Sequence, residues 1–149
     1  MASALCLMAA AHRRHSHRYG IGIKNLNETM DFCNKTYPVS VDTLLERALN
    51  NGTLPDETNE NARCFIECVE RAKGTVNTDG TWNTTRAKQI EIDMNLALGR
   101  NISQDISNIV DECSTNSGSG SCMTVYLIKK CIDSRMSAFR EPSQHNTHE

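Results

Sequence analysis

Between Tyr19 and Phe139 the chain contains no histidine, and that gap removes several kinds of chemistry at once. A mixed cysteine–histidine zinc site has no histidine to use inside the fold. A Ser/His or Cys/His nucleophile has no base. The formal net charge is only −2, with both signs interspersed, so there is no basic face for nucleic acid and no polybasic patch for a membrane surface. No apolar run approaches the roughly 18–20 residues that span a bilayer. No stretch alternates clearly with the period of a strand, and no internal repeat is visible. The acidic residues Asp105, Asp111 and Glu112 fall on the polar face of an amphipathic helix, where solvated surface is the ordinary reading. These absences predict a soluble, all-α, non-enzymatic protein without metal or cofactor.

Cysteine, by contrast, is plentiful. Six of the seven cysteines follow the pattern Cys33-x30-Cys64-x3-Cys68-x44-Cys113-x8-Cys122-x8-Cys131. If the segment around Asn61–Ala72 is helical, Cys64 and Cys68 share a face with Cβ atoms about 5–6 Å apart. A disulfide needs about 3.5–4.5 Å, so each must find a different partner. If Cys122–Met136 is helical, Cys122 and Cys131 are separated by about 900° of rotation and about 13 Å of rise, and point to opposite sides. That helix is then stapled on both flanks and belongs at the centre. Geometry removes several pairings without choosing one. A chain of 149 residues is long enough to bury a real core, so the bridges reinforce one domain and are not its sole source of order.

Such a framework belongs to an oxidising compartment. Five glycosylation sequons, at Asn27, Asn34, Asn51, Asn83 and Asn101, are consistent with a secretory route. Residues Ala4–Ala11 form a short apolar leader with a cleavage point after Ala11 that would discard Cys6 and leave an even set of six. His12–Gly22 is basic and aperiodic and reads as a flexible arm, in which Arg13, Arg14 and Arg18 oppose a cation at His12, His15 and His17. The expected organisation is a leader and arm over 1–22, a helical domain over 23–139 and a polar tail over 140–149.

Six amphipathic stretches fill the domain. The first, Asn25–Lys35, ends before Tyr37-Pro38. Val41, Leu44, Leu45 and Ala48 recur at helical spacing until Asn51-Gly52. Asn59–Ala72 carries Phe65, Cys68, Val69 and Ala72 on one stripe and breaks near Gly74, before the turn Asn77-Thr78-Asp79-Gly80. Thr84 or Thr85 is the expected cap of the fourth helix, with Ala87, Ile90, Met94 and Leu98 on its inner face and Gly99 at its end. Asn101 and Gln104 have the spacing of a capping box before Ile102, Ile106, Ile109, Val110 and Cys113. Ser114–Ser121 reads as a flexible connection. The sixth stretch, Cys122–Met136, is apolar nearly all round, which predicts burial.

These residues resemble the insect odorant-binding proteins of the six-cysteine pheromone and general odorant-binding family. The resemblance covers roughly 25–139. It rests on the helical Cys64-x3-Cys68, the late Cys122-x8-Cys131, and the passage Arg63–Glu70 followed by Gly74 and the Asp79-Gly80 turn. It implies pairing of Cys33 with Cys68, Cys64 with Cys122 and Cys113 with Cys131. It also implies a secreted carrier that takes a small hydrophobic molecule into an apolar pocket and works as a monomer or weak dimer, with a chemosensory receptor as a further partner. The residues expected to line the pocket are Phe65, Val69, Met94, Leu98, Ile102, Ile106, Ile109, Met123, Tyr126 and Leu127, with the Tyr126 hydroxyl offered to a polar ligand head. Phe139 is a candidate lid residue. The tail beyond it, with His145 and His148, is too polar to fill an apolar cavity. The sequon count, the 5% aromatic content and the His/Arg arm leave room for a carrier in a fluid other than that of an antenna. The alternative is a secreted disulfide-rich interaction protein, such as a salivary or reproductive-fluid effector acting through its surface.

Overall fold

The computed structural model describes residues 26–140. The proposed leader, Cys6, the His/Arg arm and the tail histidines lie outside the described residues. Six helices follow one another: α1 (Leu26–Thr36), α2 (Val41–Leu49), α3 (Glu60–Lys73), α4 (Thr84–Ala97), α5 (Ser103–Cys113) and α6 (Met123–Met136), closed by a 3-10 turn at Ser137–Phe139. The described residues contain no strand, only an isolated antiparallel bridge between Val76 and Trp82 across the Asn77–Gly80 turn.

Local chemistry sets the helix ends. Ser40 Oγ accepts the Thr43 amide at the start of α2, and Asn59 Oδ1 accepts the Ala62 amide at the start of α3. Gly74 closes α3 in the left-handed region at φ +82. The Gly74 and Thr75 amides reach back to Arg71 and Glu70, the double bond of a Schellman cap. Two expected caps are corrected. Asn83 caps α4 in place of Thr84 or Thr85, because its own amide is fixed to the Thr75 carbonyl at 2.8 Å and its Oδ1 accepts from Arg86 at 2.9 Å. The capping box at α5 does not form. Ile102 occupies the cap position, and Gln104 donates along the helix to Asn108.

The disulfides join Cys33 to Cys68, Cys64 to Cys122 and Cys113 to Cys131, the pairing that the resemblance implies. The α1–α3 pair is thereby fixed. Helix α6 is tied to α3 through Cys122 and to α5 through Cys131, and it packs against both. Its buried side chains, among them Val125, Tyr126, Ile128 and Ile132, point in several directions, as expected of a central helix. The connection before it is less free than its composition predicts. Thr124 Oγ1 both accepts from and donates to the Gly118 backbone, and a Cβ at Gly118 would meet Met123 Cγ at 2.5 Å and Leu127 Cδ1 at 2.8 Å.

The inner face of α4 departs from its apolar periodicity. Ala87 and Ile90 are buried, but Met94 and Leu98 are 39% and 62% exposed, while Glu91 and Asn95 are buried instead. Lys129 of α6 draws Glu91 inward through an ion pair of 3.1 Å, and Asn95 donates to the Glu91 carbonyl. The helix is rolled to satisfy a charge that apolar periodicity does not register.

Candidate ligand-binding site

The apolar interior is divided into three clusters. One joins α4, α5 and α6 through Ala87, Ile106, Ile109, Val110, Ile128 and Ile132, with Ile102, Trp82 and Phe139 packed on its edge. A second joins Leu54, Ala62, Ile66 and Tyr126, with Met123, Leu127 and Val39 on its edge. The third is Cys33, Phe65 and Val69 under Met30, Tyr37, Leu44 and, again, Val39. The ten residues expected in one pocket are therefore distributed. Phe65 and Val69 share a cluster, as do Met123, Tyr126 and Leu127. Ile102, Ile106 and Ile109 belong to the far side of α6, and Met94 and Leu98 are on the exterior.

The second and third clusters meet at Val39, two residues before α2 begins. That helix contributes no fully buried residue. Leu44 packs inward on the third cluster, whereas Val41, Leu45 and Leu49 are exposed. Its firm attachments are polar and lie toward its C-terminal end. Arg47 Nη2 is 2.7 Å from Asp133 Oδ2 of α6, and Gly52 closes against the same aspartate, where a Cβ would approach Asp133 Cβ to 2.6 Å. A helix that packs on the third cluster through Leu44 alone and buries no residue fully can separate at less cost than one packed into the core.

The Tyr126 hydroxyl, expected to meet a polar ligand head, has partners within the protein. It accepts the Leu54 amide at 3.0 Å and donates to Glu57 Oε2 at 2.7 Å, and Lys130 pairs with the same carboxylate. The oxygen is occupied by the protein. Burial, eased by the Leu54 N–H but reinforced by Glu57, lifts the phenol pKa to about 12.

Helices α3, α4 and α6 also carry a buried polar network that the sequence pattern did not reveal. Lys129 pairs with Glu91 and, at 2.9 Å, with Asp133. Glu70 pairs with Lys73 and accepts from Thr75. Burial alone would weaken the Lys129 charge, but Glu91, Asp133 and Glu70 outweigh it and hold the ammonium above its ordinary range. Burial would likewise raise Glu70, but the Lys73 and Lys129 charges and the bonds from Lys73 and Thr75 bring it down to about 2. The i, i+4 spacing of Lys129 and Asp133 was the available signal, although in sequence it matches an ordinary surface pair.

An open groove of about 470 Å³ lies at the other end of the bundle, between α5, α6 and the 3-10 turn. Asp105, Glu112 and Arg135 line it beside Ile109 and Phe139, so an apolar guest would face charged groups. Of the expected pocket residues it contains only Ile109. Phe139 is held there by packing on the first cluster and by its carbonyl, which accepts from Arg100.

Among the described residues no group of histidine, cysteine and carboxylate side chains has metal-site geometry, and no helix is long and apolar enough to cross a membrane. No curated protein and no solved structure matches the chain. The model of the PBP/GOBP family matches residues 23–135, a span that holds all six bonded cysteines. The chain belongs to the PBP/GOBP family, the pheromone and general odorant-binding proteins that take small hydrophobic ligands.

Proposed function

We propose that the protein is an extracellular carrier that reversibly binds one small hydrophobic molecule, an odorant, pheromone or lipid-like compound, without catalysis. Family membership across 23–135 carries this reading. The proposed ligand position is the seam beneath α2, where the clusters of Phe65 and Val69 and of Met123, Tyr126 and Leu127 share Val39. Affinity would come from apolar surface withdrawn from water, worth about 25 cal/mol per Å² before the costs of binding. Met30 and Met123 at the edges of these clusters supply adaptable, polarisable contacts. Three disulfides and the sequons support export to an oxidising fluid.

The exposed row Val41, Leu45 and Leu49 favours a second reading, a secreted protein acting through its surface. A fluorescent hydrophobic probe distinguishes the two. Saturable binding of one probe per chain, displaced by long-chain alcohols, esters or fatty acids, is expected of the carrier. A chain that binds no probe in this competitive manner is not one.

A further inference from the structure

All the exposed large apolar side chains among the described residues fall in two places. Phe32, Val41, Leu45 and Leu49 lie on α1 and α2, and Met94, Leu96 and Leu98 on the last turn of α4 and its C-cap. On α2 the row recurs every four residues, an outward stripe about 12 Å long. Contiguous apolar surface of this kind is normally covered.

Sequons stand at the borders of both places. Asn34 Oδ1 accepts the Val39 amide at 2.9 Å, which brings this exposed side chain to the start of the α2 stripe. Asn51 is exposed, two residues beyond Leu49, and sits in the turn at φ +51. Asn101 is exposed three residues after Leu98. Asn83 differs from these. It is half-buried, its Oδ1 caps α4, and its Nδ2, the atom to which a sugar would be joined, donates to Asn77 at 3.2 Å.

We infer that Asn34, Asn51 and Asn101 carry N-linked glycans that cover these two apolar surfaces, and that Asn83 remains unmodified. The donor is a lipid-diphosphate-linked oligosaccharide. The asparagine Nδ2 forms a bond to the sugar C1, the bond from C1 to the diphosphate oxygen breaks with its electron pair leaving on the diphosphate, and Nδ2 gives up one proton. A bulky, solubilising glycan at each end of the α2 stripe hides it. The inference rests on the secretory reading of the chain and goes beyond it in choosing among the sequons at Asn34, Asn51, Asn83 and Asn101.

The test is expression of the full chain in insect cells, with medium and cytosol collected separately. Treatment with a peptide N-glycosidase in heavy-oxygen water then leaves a labelled aspartate at each formerly modified asparagine. The expected peptide map of the secreted protein shows label at positions 34, 51 and 101 and none at 83. Label at 83, or a secreted chain unlabelled at 51 and 101, overturns the inference while leaving secretion intact. A chain confined to the cytosol overturns both. Enzymatic removal of the glycans from the folded protein should raise the fluorescence of anilinonaphthalene sulfonate several-fold, and Leu45→Glu with Leu49→Glu should suppress the rise. Unchanged fluorescence would contradict the covering role.

Discussion

Arg47 of α2 and Asp133 of α6 meet at 2.7 Å, and this ion pair ties α2 to the central helix. Asp133 is shared, because Lys129 lies 2.9 Å from its other oxygen. Arg47→Met should therefore loosen α2 while leaving Lys129 paired. Amide exchange in Val41–Leu49 is expected to accelerate about tenfold, equivalent to about 1.4 kcal/mol of local stability, with exchange in α3 and α6 nearly unchanged. Uniform acceleration across the chain would show that α2 does not open independently.

Removing Lys129 should be far more damaging than removing Arg47. Lys129→Met leaves Glu91 buried without its cation, and one-sided removal of a buried pair costs roughly 3–5 kcal/mol. Glu91→Gln in the same chain should recover most of the loss, because the remaining polar group is neutral. Urea denaturation of the two single variants and the double variant measures the coupling. Additive losses would contradict a direct partnership.

The acid limb of stability should be steep and late. Glu70 is held at about 2 against an ordinary 4.5, so the folded state keeps this charge at pH values where the unfolded chain has bound a proton. The contribution, on the order of 3 kcal/mol, is complete above about pH 4.5 and is lost as pH falls toward 2. Glu70→Gln should flatten the melting temperature across that window. Hydrophobic-ligand affinity is expected to change little between about pH 7 and 5, because no histidine lies among residues 26–140. A large loss at pH 5 that disappears on truncation after Phe139 would contradict this expectation.

Tyr126→Phe separates the hydroxyl from the ring. The Leu54 amide loses its acceptor and Glu57 a donor, so stability should fall by about 1–3 kcal/mol. Probe affinity in the still-folded variant should stay within about twofold. A tenfold loss of affinity for alcohols but not for hydrocarbons would return the hydroxyl to the ligand.

The frame of the fold was legible because cysteine spacing on a helix is a statement about angles. Cys122 and Cys131 had to face apart, and α6 is central between α3 and α5 as a result. Helix limits were also readable from Gly74 and Pro38. The inner face of α4 was not, because apolar periodicity assigns Met94 inward and Glu91 outward, whereas Lys129 reverses the two through a contact distant in sequence. The seam was only half legible. Phe65, Val69, Met123 and Leu127 carry apolar signals, but Val39 lies in a loop, and its position between two clusters follows from how α1 and α2 are joined.

Leu44 and Leu45 provide the most direct test, since these neighbours on α2 differ in surroundings: Leu44 packs over Phe65 and Val69, and Leu45, turned about 100° away, is 50% exposed. In calorimetric or fluorescence titration with a hydrophobic probe, the native chain should bind one equivalent. Leu44→Asp should weaken binding by at least about tenfold, or ~1.4 kcal/mol, and Leu45→Asp should leave it unchanged. Absence of saturable binding to the native chain, or equal effects of the two substitutions, would contradict a ligand site beneath α2.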